Sequence, residues 1–341
     1  LRDGGLAAAR PAGTLGGVNR ARIVGIALVV ISAVSFGSGG LFARPAYAAG
    51  IDWLTLMAWR FLLAGALAWG VLAFSPSSRR ALRAMPRRAF LASIGLGVYY
   101  ISNTATYFAG ITTTPLSLSA LIVYIYPPIV AVLALRFGHP LQGRRAWTAL
   151  AIAVAGVVLA VGGIGADQMP PIGGLLLVIA SPLLYSVWII LAARHSGESR
   201  SGVGSEAQGA SDAAAVGAVM LSSTGVVYWA ICLATGHPVL PASIPSDAWP
   251  GILGVGVVAG WVAVQAFYAG AQRVGAAQAS LLSTVEPLWT VVAAGILLGE
   301  RLQPIQLAGG VLILAAVVLS QTGPRGEPVA PPQPLVPLGE E

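Results

Sequence analysis

Ten runs of apolar residues divide this chain, and nearly all of its charged positions fall in the links between them. A helix rises about 1.5 Å per residue and the hydrocarbon core is about 30 Å thick, so about 20 apolar residues are needed to cross it. The pattern predicts spans at 23–43, 53–74, 90–111, 115–136, 146–163, 172–193, 212–233, 248–270, 277–298 and 304–322. Inside several spans, polar and aromatic positions recur at helical spacing. Span 3 has Tyr99, Asn103 and Tyr107, span 6 has Ser181, Tyr185 and Trp188, span 8 has Trp261, Gln265 and Tyr268, and span 9 has Ser283, Glu286 and Thr290. Prolines lie near mid-depth in span 4, Pro127-Pro128, and in span 9, Pro287. The expected fold class is an all-α integral membrane protein of ten transmembrane helices.

Composition agrees with that pattern. The chain is 56% apolar and 9% charged, against about 25% charged residues in a soluble domain. A net charge of +7 invites a nucleic-acid partner, but the placement of the charge argues against one. All nineteen basic residues are Arg. Only Arg44 and Arg301 fall on one side of the spans and Arg60 within one. The rest lie at the termini or in links 2–3, 4–5, 6–7 and 8–9, with Arg79, Arg80, Arg83, Arg87 and Arg88 in link 2–3 alone. That asymmetry predicts that both termini are cytoplasmic, and the all-Arg usage points to a bacterial plasma membrane. The single cysteine, Cys232, excludes a disulfide framework and a Cys-based metal site, and no cofactor is expected. Ala46-Tyr47-Ala48 resembles a signal-peptidase site, but the apolar run before it is longer than the 7–15 residues of a signal peptide, so span 1 is read as retained. Residues 1–22 and 323–341 read as disordered cytoplasmic tails, and Ser196–Ser211 as a flexible cytoplasmic loop.

The chain also repeats itself. At an offset of 160 residues, Phe108-Ala109-Gly110 falls on Tyr268-Ala269-Gly270, Leu121 on Leu281 and Tyr126-Pro127 on Glu286-Pro287. Past one indel, Gly138 falls on Gly299 and Leu141-Gln142 on Leu302-Gln303. The halves are 23–163 and 172–322. Five spans in each make the second half enter from the opposite side, so the repeats are inverted, a common construction in secondary transporters.

The segment Gly275–Pro287 (GAAQASLLSTVEP), followed by Leu298-Gly299-Glu300-Arg301-Leu302, resembles the second repeat of the EamA family in the drug/metabolite transporter superfamily. Trp59-Arg60-Phe61-Leu62-Leu63-Ala64 resembles that family's second helix. The resemblance spans about residues 22–322 and implies ten helices, both termini inside, and transport of amino acids or other small metabolites, often outward. The first repeat departs from it, with Phe137-Gly138-His139-Pro140 where the second has Leu298-Gly299-Glu300-Arg301.

Glu286 is the only carboxylate well inside a span. A charged side chain there costs several kcal/mol unless it is paired, hydrated or protonated. It can be a proton or cation site, a partner for a substrate ammonium, or a structural group. Pro287 lacks an N–H and frees the carbonyl near Ser283. Arg60 lies about 12 Å inside the outer end of span 2. It can snorkel outward, or face the bundle and pair with Glu286 or a substrate carboxylate. Asn103 and Gln265 at depth must bond within the bundle or line a pocket. Tyr99, Tyr107, Tyr126, Tyr185, Trp188 and Tyr268 complete the candidate substrate-binding set, with Pro127, Pro287 and Glu300 as gating candidates. Glu300 and Arg301 can equally form an interfacial ion pair. The small residues Ser35–Gly40 read as a close-packing face.

These features predict a secondary transporter, an exporter of small metabolites such as amino acids, with small-molecule substrate, lipid bilayer and protons as its partners. The rival within transport is a multidrug or toxic-compound exporter. An enzyme is not expected: His139, His195 and His237 all lie in links, and no catalytic constellation shares a depth within the spans. A sensor or scaffold would normally carry an appended soluble domain.

Overall fold

A computed structural model describes residues 13–135, 143–162, 169–195, 206–274, 279 and 282–321. The elements are helical. In order they are α1 (Gly13–Gly37), α2 (Gly39–Ala48), α3 (Trp53–Phe74), α4 (Pro76–Ala84), α5 (Arg87–Gly110), α6 (Leu116–Val123), α7 (Tyr126–Leu135), α8 (Gly143–Gly162), α9 (Ile172–His195) and α10 (Glu206–Thr235). After two short 3₁₀ turns come α11 (Trp249–Leu253), a π-helical segment (Gly254–Val262), α12 (Ala263–Val274), α13 (Val285–Leu297) and α14 (Pro304–Gln321). Among the described residues, seven helical segments are long and apolar enough to cross a membrane: Arg22–Ala48, Trp53–Phe74, Leu116–Leu133, Arg144–Val161, Ile172–Ala192, Ala214–Thr235 and Ser246–Phe267. Val285–Leu297 and Pro304–Ser320 are shorter apolar helices. Expected span 3 corresponds to α5, whose Tyr99, Ser102, Asn103, Thr104, Thr106 and Tyr107 dilute its apolar character. Residues 323–341 and most of the 6–7 link lie outside the described residues, and α1 reaches back to Gly13.

Three expected spans are broken rather than continuous. Span 1 breaks at Ser38, between α1 and α2. The Ser38 hydroxyl donates to Val34 O (2.7 Å) and accepts from Trp289 Nε1 (2.9 Å). A Cβ at Gly37 would lie 2.7 Å from Thr290 Oγ1 and 2.9 Å from Glu286 O, so only glycine lets α13 approach there. This is the close packing expected of Ser35–Gly40. Span 4 breaks at Tyr124-Ile125, between α6 and α7. Pro127 and Pro128 offer no N–H to the carbonyls four residues back, which ends the regular ladder there. Span 9 breaks at Ser283-Thr284, before α13. These last two breaks stand about 160 residues apart, in the register of the internal repeat.

Packing between the halves shows which way each helix runs. Trp69, late in α3, bonds Ser222 near the middle of α10, while Asp52 before α3 meets His237 after α10, so α3 and α10 are antiparallel. Leu116 at the start of α6 meets Glu300 after α13, and Arg145 at the start of α8 meets Leu319 at the end of α14. Corresponding helices of the two repeats are therefore antiparallel. Close crossings run through glycines at matching places: Gly25 against Gly270, Gly110 against Gly174, and Gly156 against Gly309. Small residues at such crossings let backbones come into van der Waals contact, which drives association where lipid replaces water. Ala46 and Tyr47 are packed into this core, with the Tyr47 hydroxyl donating to Phe108 O at 3.0 Å.

Candidate functional site

The two mid-depth breaks meet. Pro287 denies Ser283 O its α-helical donor; the carbonyl accepts instead from Glu286 N (3.0 Å) and, from the first half, from Tyr124 Oη (2.7 Å), which also lies 3.1 Å from Glu286 Oε2. Tyr124 is buried, and Glu286 is partly so. A phenol carries one proton. It can serve the Ser283 carbonyl or the Glu286 carboxylate at one moment, not both.

From this junction a wall of aromatic rings runs across the bundle. Tyr124 meets Tyr126 (centroids 5.7 Å apart), Tyr126 meets Tyr185 (4.9 Å), and Tyr185 stacks on Trp188 (5.8 Å). Trp188 meets Tyr100 (4.8 Å), and Phe61 lies between Tyr100 (6.0 Å) and Tyr228 (5.6 Å). The rings are fixed by polar contacts: Trp188 Nε1 donates to Leu96 O (3.2 Å), Ser186 Oγ donates to Tyr126 O (3.2 Å), and Tyr228 Oη sits 2.8 Å from Thr104 Oγ1.

Arg60 turns inward. Its guanidinium lies 4.9 Å from the Phe108 ring centroid and 5.4 Å from that of Phe61, within cation–π reach. Among the described residues it forms no hydrogen bond or ion pair, so the direct Arg60–Glu286 pair is not made.

The structure thus brings together Glu286, Tyr126, Tyr185 and Trp188, with Arg60 and Tyr107 nearby. Asn103 is committed elsewhere: its Nδ2 donates to Ser181 O (3.1 Å) and Ser181 Oγ (2.9 Å), joining α5 to α9. Tyr99 has no described ring contact, and Gln265 is exposed. The side chain of Tyr268 lies outside the described residues. Sequence reasoning missed Tyr124, Tyr100, Phe61 and Phe108. For Tyr100 the signal was present, since Tyr100, Asn103 and Tyr107 stand at i, i+3, i+7, which fits one helix face as well as the stripe begun at Tyr99. Among the described residues no three of His, Cys, Asp and Glu gather as metal ligands would.

A second polar cluster sits at the end of the bundle where α13 stops and α6 begins. Gly299 takes φ 69°, a left-handed turn that ends α13 and presents Glu300. The Glu300 carboxylate accepts from Leu116 N (2.8 Å) and Ser117 N (2.7 Å), capping α6 in the other repeat. Its cationic partner is Arg44 (3.8 Å), not the exposed Arg301 that the sequence suggested. Arg44 also donates to Thr114 O (2.7 Å). Arg44 Nε, Thr114 Oγ1 and Ser117 Oγ are buried beside this cluster with no described partner.

Comparison with known proteins agrees with this architecture. The sequence profile described as "EamA-like transporter family" matches residues 23–162 and again 172–322. An "Uncharacterized transporter" of Archaeoglobus fulgidus is 27% identical over 303 residues, 87% of this chain and 96% of the relative. "Uncharacterized transporter YcbK" of Bacillus subtilis is 24% identical over 294 residues, 85% of this chain and 90% of its own. A solved crystal structure shares the fold with a TM-score of 0.57 at 17% identity, covering 89% of this chain and 96% of that one.

Proposed function

The chain belongs to the EamA-like transporter family, and from that premise we propose a ten-span secondary transporter of two inverted five-helix repeats that exports small metabolites such as amino acids from a bacterial cell. Both termini lie in the cytoplasm in this reading. The observation that carries it is the junction of Tyr124, Ser283 and Glu286 at the meeting of two broken helices. Because the single Tyr124 proton cannot satisfy both neighbours, the full set of contacts closes when Glu286 carries a proton of its own and donates it to Tyr124 Oη. Losing that proton frees one contact and weakens the joint between the halves. Proton binding at Glu286 is thereby coupled to how the repeats dock.

Arg60 supplies the opposite pole. A guanidinium within the span and without an anionic partner suits a substrate carboxylate, while a deprotonated Glu286 suits a substrate ammonium. The rings between them cover the apolar part of the molecule. Pro127 and Pro287 place the hinges, and Glu300 holds the outer end shut. The aromatic wall beside a single intramembrane carboxylate also suits lipophilic cations, which is the multidrug reading. Thermal-shift titration with amino acids against lipophilic cations separates the two.

The test is flux in proteoliposomes. Glu286→Gln is expected to abolish the pH dependence of transport while the protein still folds. Wild-type flux at every pH in Glu286→Gln would remove Glu286 from the mechanism.

A further inference from the structure

Helix α4 turns back from the basic end of α3 and lies against α3 and α10. Its start is built for that turn: Ser75 accepts from Ser78 N at 3.3 Å and Pro76 takes the first helical position. Between α3 and α4 lies a cleft of about 250 Å³, lined by Trp69, Leu72, Ala73, Arg79, Leu82 and Arg83. Its walls are apolar except for the two arginines. Trp69 is a fixed wall, because its indole N–H donates to Ser222 Oγ at 2.7 Å.

Arg79 and Arg83 stand at i and i+4, so both guanidiniums rise from one face of α4. Both are exposed, and neither has a described hydrogen bond or ion pair. Arg80, the neighbour on the other face, bonds Pro76 O at 3.3 Å. From residue 53 to residue 166 the sequence contains no Asp or Glu. Phe74, the last residue of α3, is 90% exposed. A large apolar ring so bare belongs in the acyl layer, which places the cleft where chains meet headgroups.

We propose that this cleft binds an anionic phospholipid of the inner leaflet. Arg79 and Arg83 take the phosphate oxygens, and one acyl chain lies against Leu72, Ala73, Trp69 and Leu82. The inference rests on the cytoplasmic orientation of this end given above, but not on any substrate or coupling ion. A soluble anion would use the guanidiniums and leave the apolar floor wet. A zwitterionic lipid would use the floor and bring its own cation to the arginines. Only an anionic lipid satisfies both halves of the cleft, and basic pockets at the cytoplasmic ends of spans bind such headgroups.

The experiment uses the full chain in detergent, with thermal unfolding followed as phosphatidylglycerol, phosphatidylcholine or glycerol 1-phosphate is added. Phosphatidylglycerol is expected to raise the midpoint by several degrees and the other two to leave it unchanged. The Arg79→Gln/Arg83→Gln variant is expected to lose the response. Arg80→Gln/Arg88→Gln, which removes the same charge elsewhere in the basic run, is expected to keep it. An equal response to phosphatidylcholine, or an equal loss in the Arg80/Arg88 variant, overturns the proposal in favour of general membrane electrostatics. A full response to glycerol 1-phosphate overturns it in favour of a headgroup-only site. Should the Arg79/Arg83 variant not fold, native mass spectrometry of wild type from an equimolar lipid mixture decides. Enrichment of phosphatidylglycerol adducts supports the site, and equal retention sinks it. These readouts need no transport, so failure of the transport reading leaves them interpretable.

Discussion

Asp52 closes the entrance to α3 with both of its oxygens. Oδ1 accepts from Leu54 N (2.8 Å) and Thr55 N (3.0 Å), Oδ2 accepts from Thr55 Oγ1 (2.7 Å), and His237 Nδ1 lies 3.1 Å from Oδ2. Burial alone would push this carboxyl up, but the Thr55 hydroxyl, the Thr55 amide and His237 outweigh it and hold Asp52 below the usual carboxylate range. A lowered value in the folded state means stability that is present above about pH 4, the ordinary Asp value, and is lost as pH falls through the lowered one. Asp52→Ala is expected to cost about 1 kcal/mol near neutral pH through the lost cap. The gap between wild-type and variant melting curves is expected to close below about pH 4. A gap that persists unchanged at pH 3 would show that the anion contributes nothing. At this scale the sequence was readable where one residue type had one plausible use. An intramembrane Glu beside a Pro announced itself, whereas Tyr124 did not. It faces the site because the double proline re-aims the two tyrosines on either side of the break, and a stripe counted at 3.6 residues per turn cannot foresee that.

The ends of helices are reached by the other repeat, and Glu300 shows this most directly. It caps α6 from across the interface and ties links 1–2, 3–4 and 9–10 together through Arg44 and Thr114. A carboxylate at a helix N-terminus gains from both the free N–H groups and the helix dipole. In the proposed alternating-access cycle this latch opens on the outer side. Glu300→Ala is therefore expected to bias the protein toward an outward-open state. In a Cys232→Ser background, a cysteine at position 117, now 1% exposed, is expected to react several-fold faster with a membrane-impermeant maleimide once Glu300 is removed. Unchanged labelling would mean that the contact is a fixed cap and not a gate. The sequence showed Glu300 at an outer helix end, but paired it with its neighbour Arg301, because the true partners lie 184 and 256 positions away.

Across the whole molecule, the antiparallel pairing of α3 with α10, α6 with α13 and α8 with α14 is what the proposed odd number of crossings in each repeat requires. The periodicity of the chain foretold this more securely than any single residue, since one register offset of about 160 accounts for both helix breaks and for the glycine pair Gly110 and Gly270. The same counting fixes a prediction of orientation. Ser77, at the start of α4, and Ser246, between α10 and α11, are both exposed and are separated by five proposed spans. An odd number of crossings puts them on opposite sides, and the arginine bias puts Ser77 inside. Single cysteines at these positions, with Cys232 replaced by Ser, are expected to divide cleanly. In intact cells the Ser246→Cys protein reacts with an impermeant maleimide, and the Ser77→Cys protein reacts only after permeabilisation. A reversed pattern would keep the inverted repeat but turn the molecule over, placing the Arg44–Glu300 latch at the cytoplasmic mouth and the arginine cleft in the outer leaflet. Labelling of both from one side would require an even number of crossings between them, and two antiparallel five-helix repeats cannot supply one.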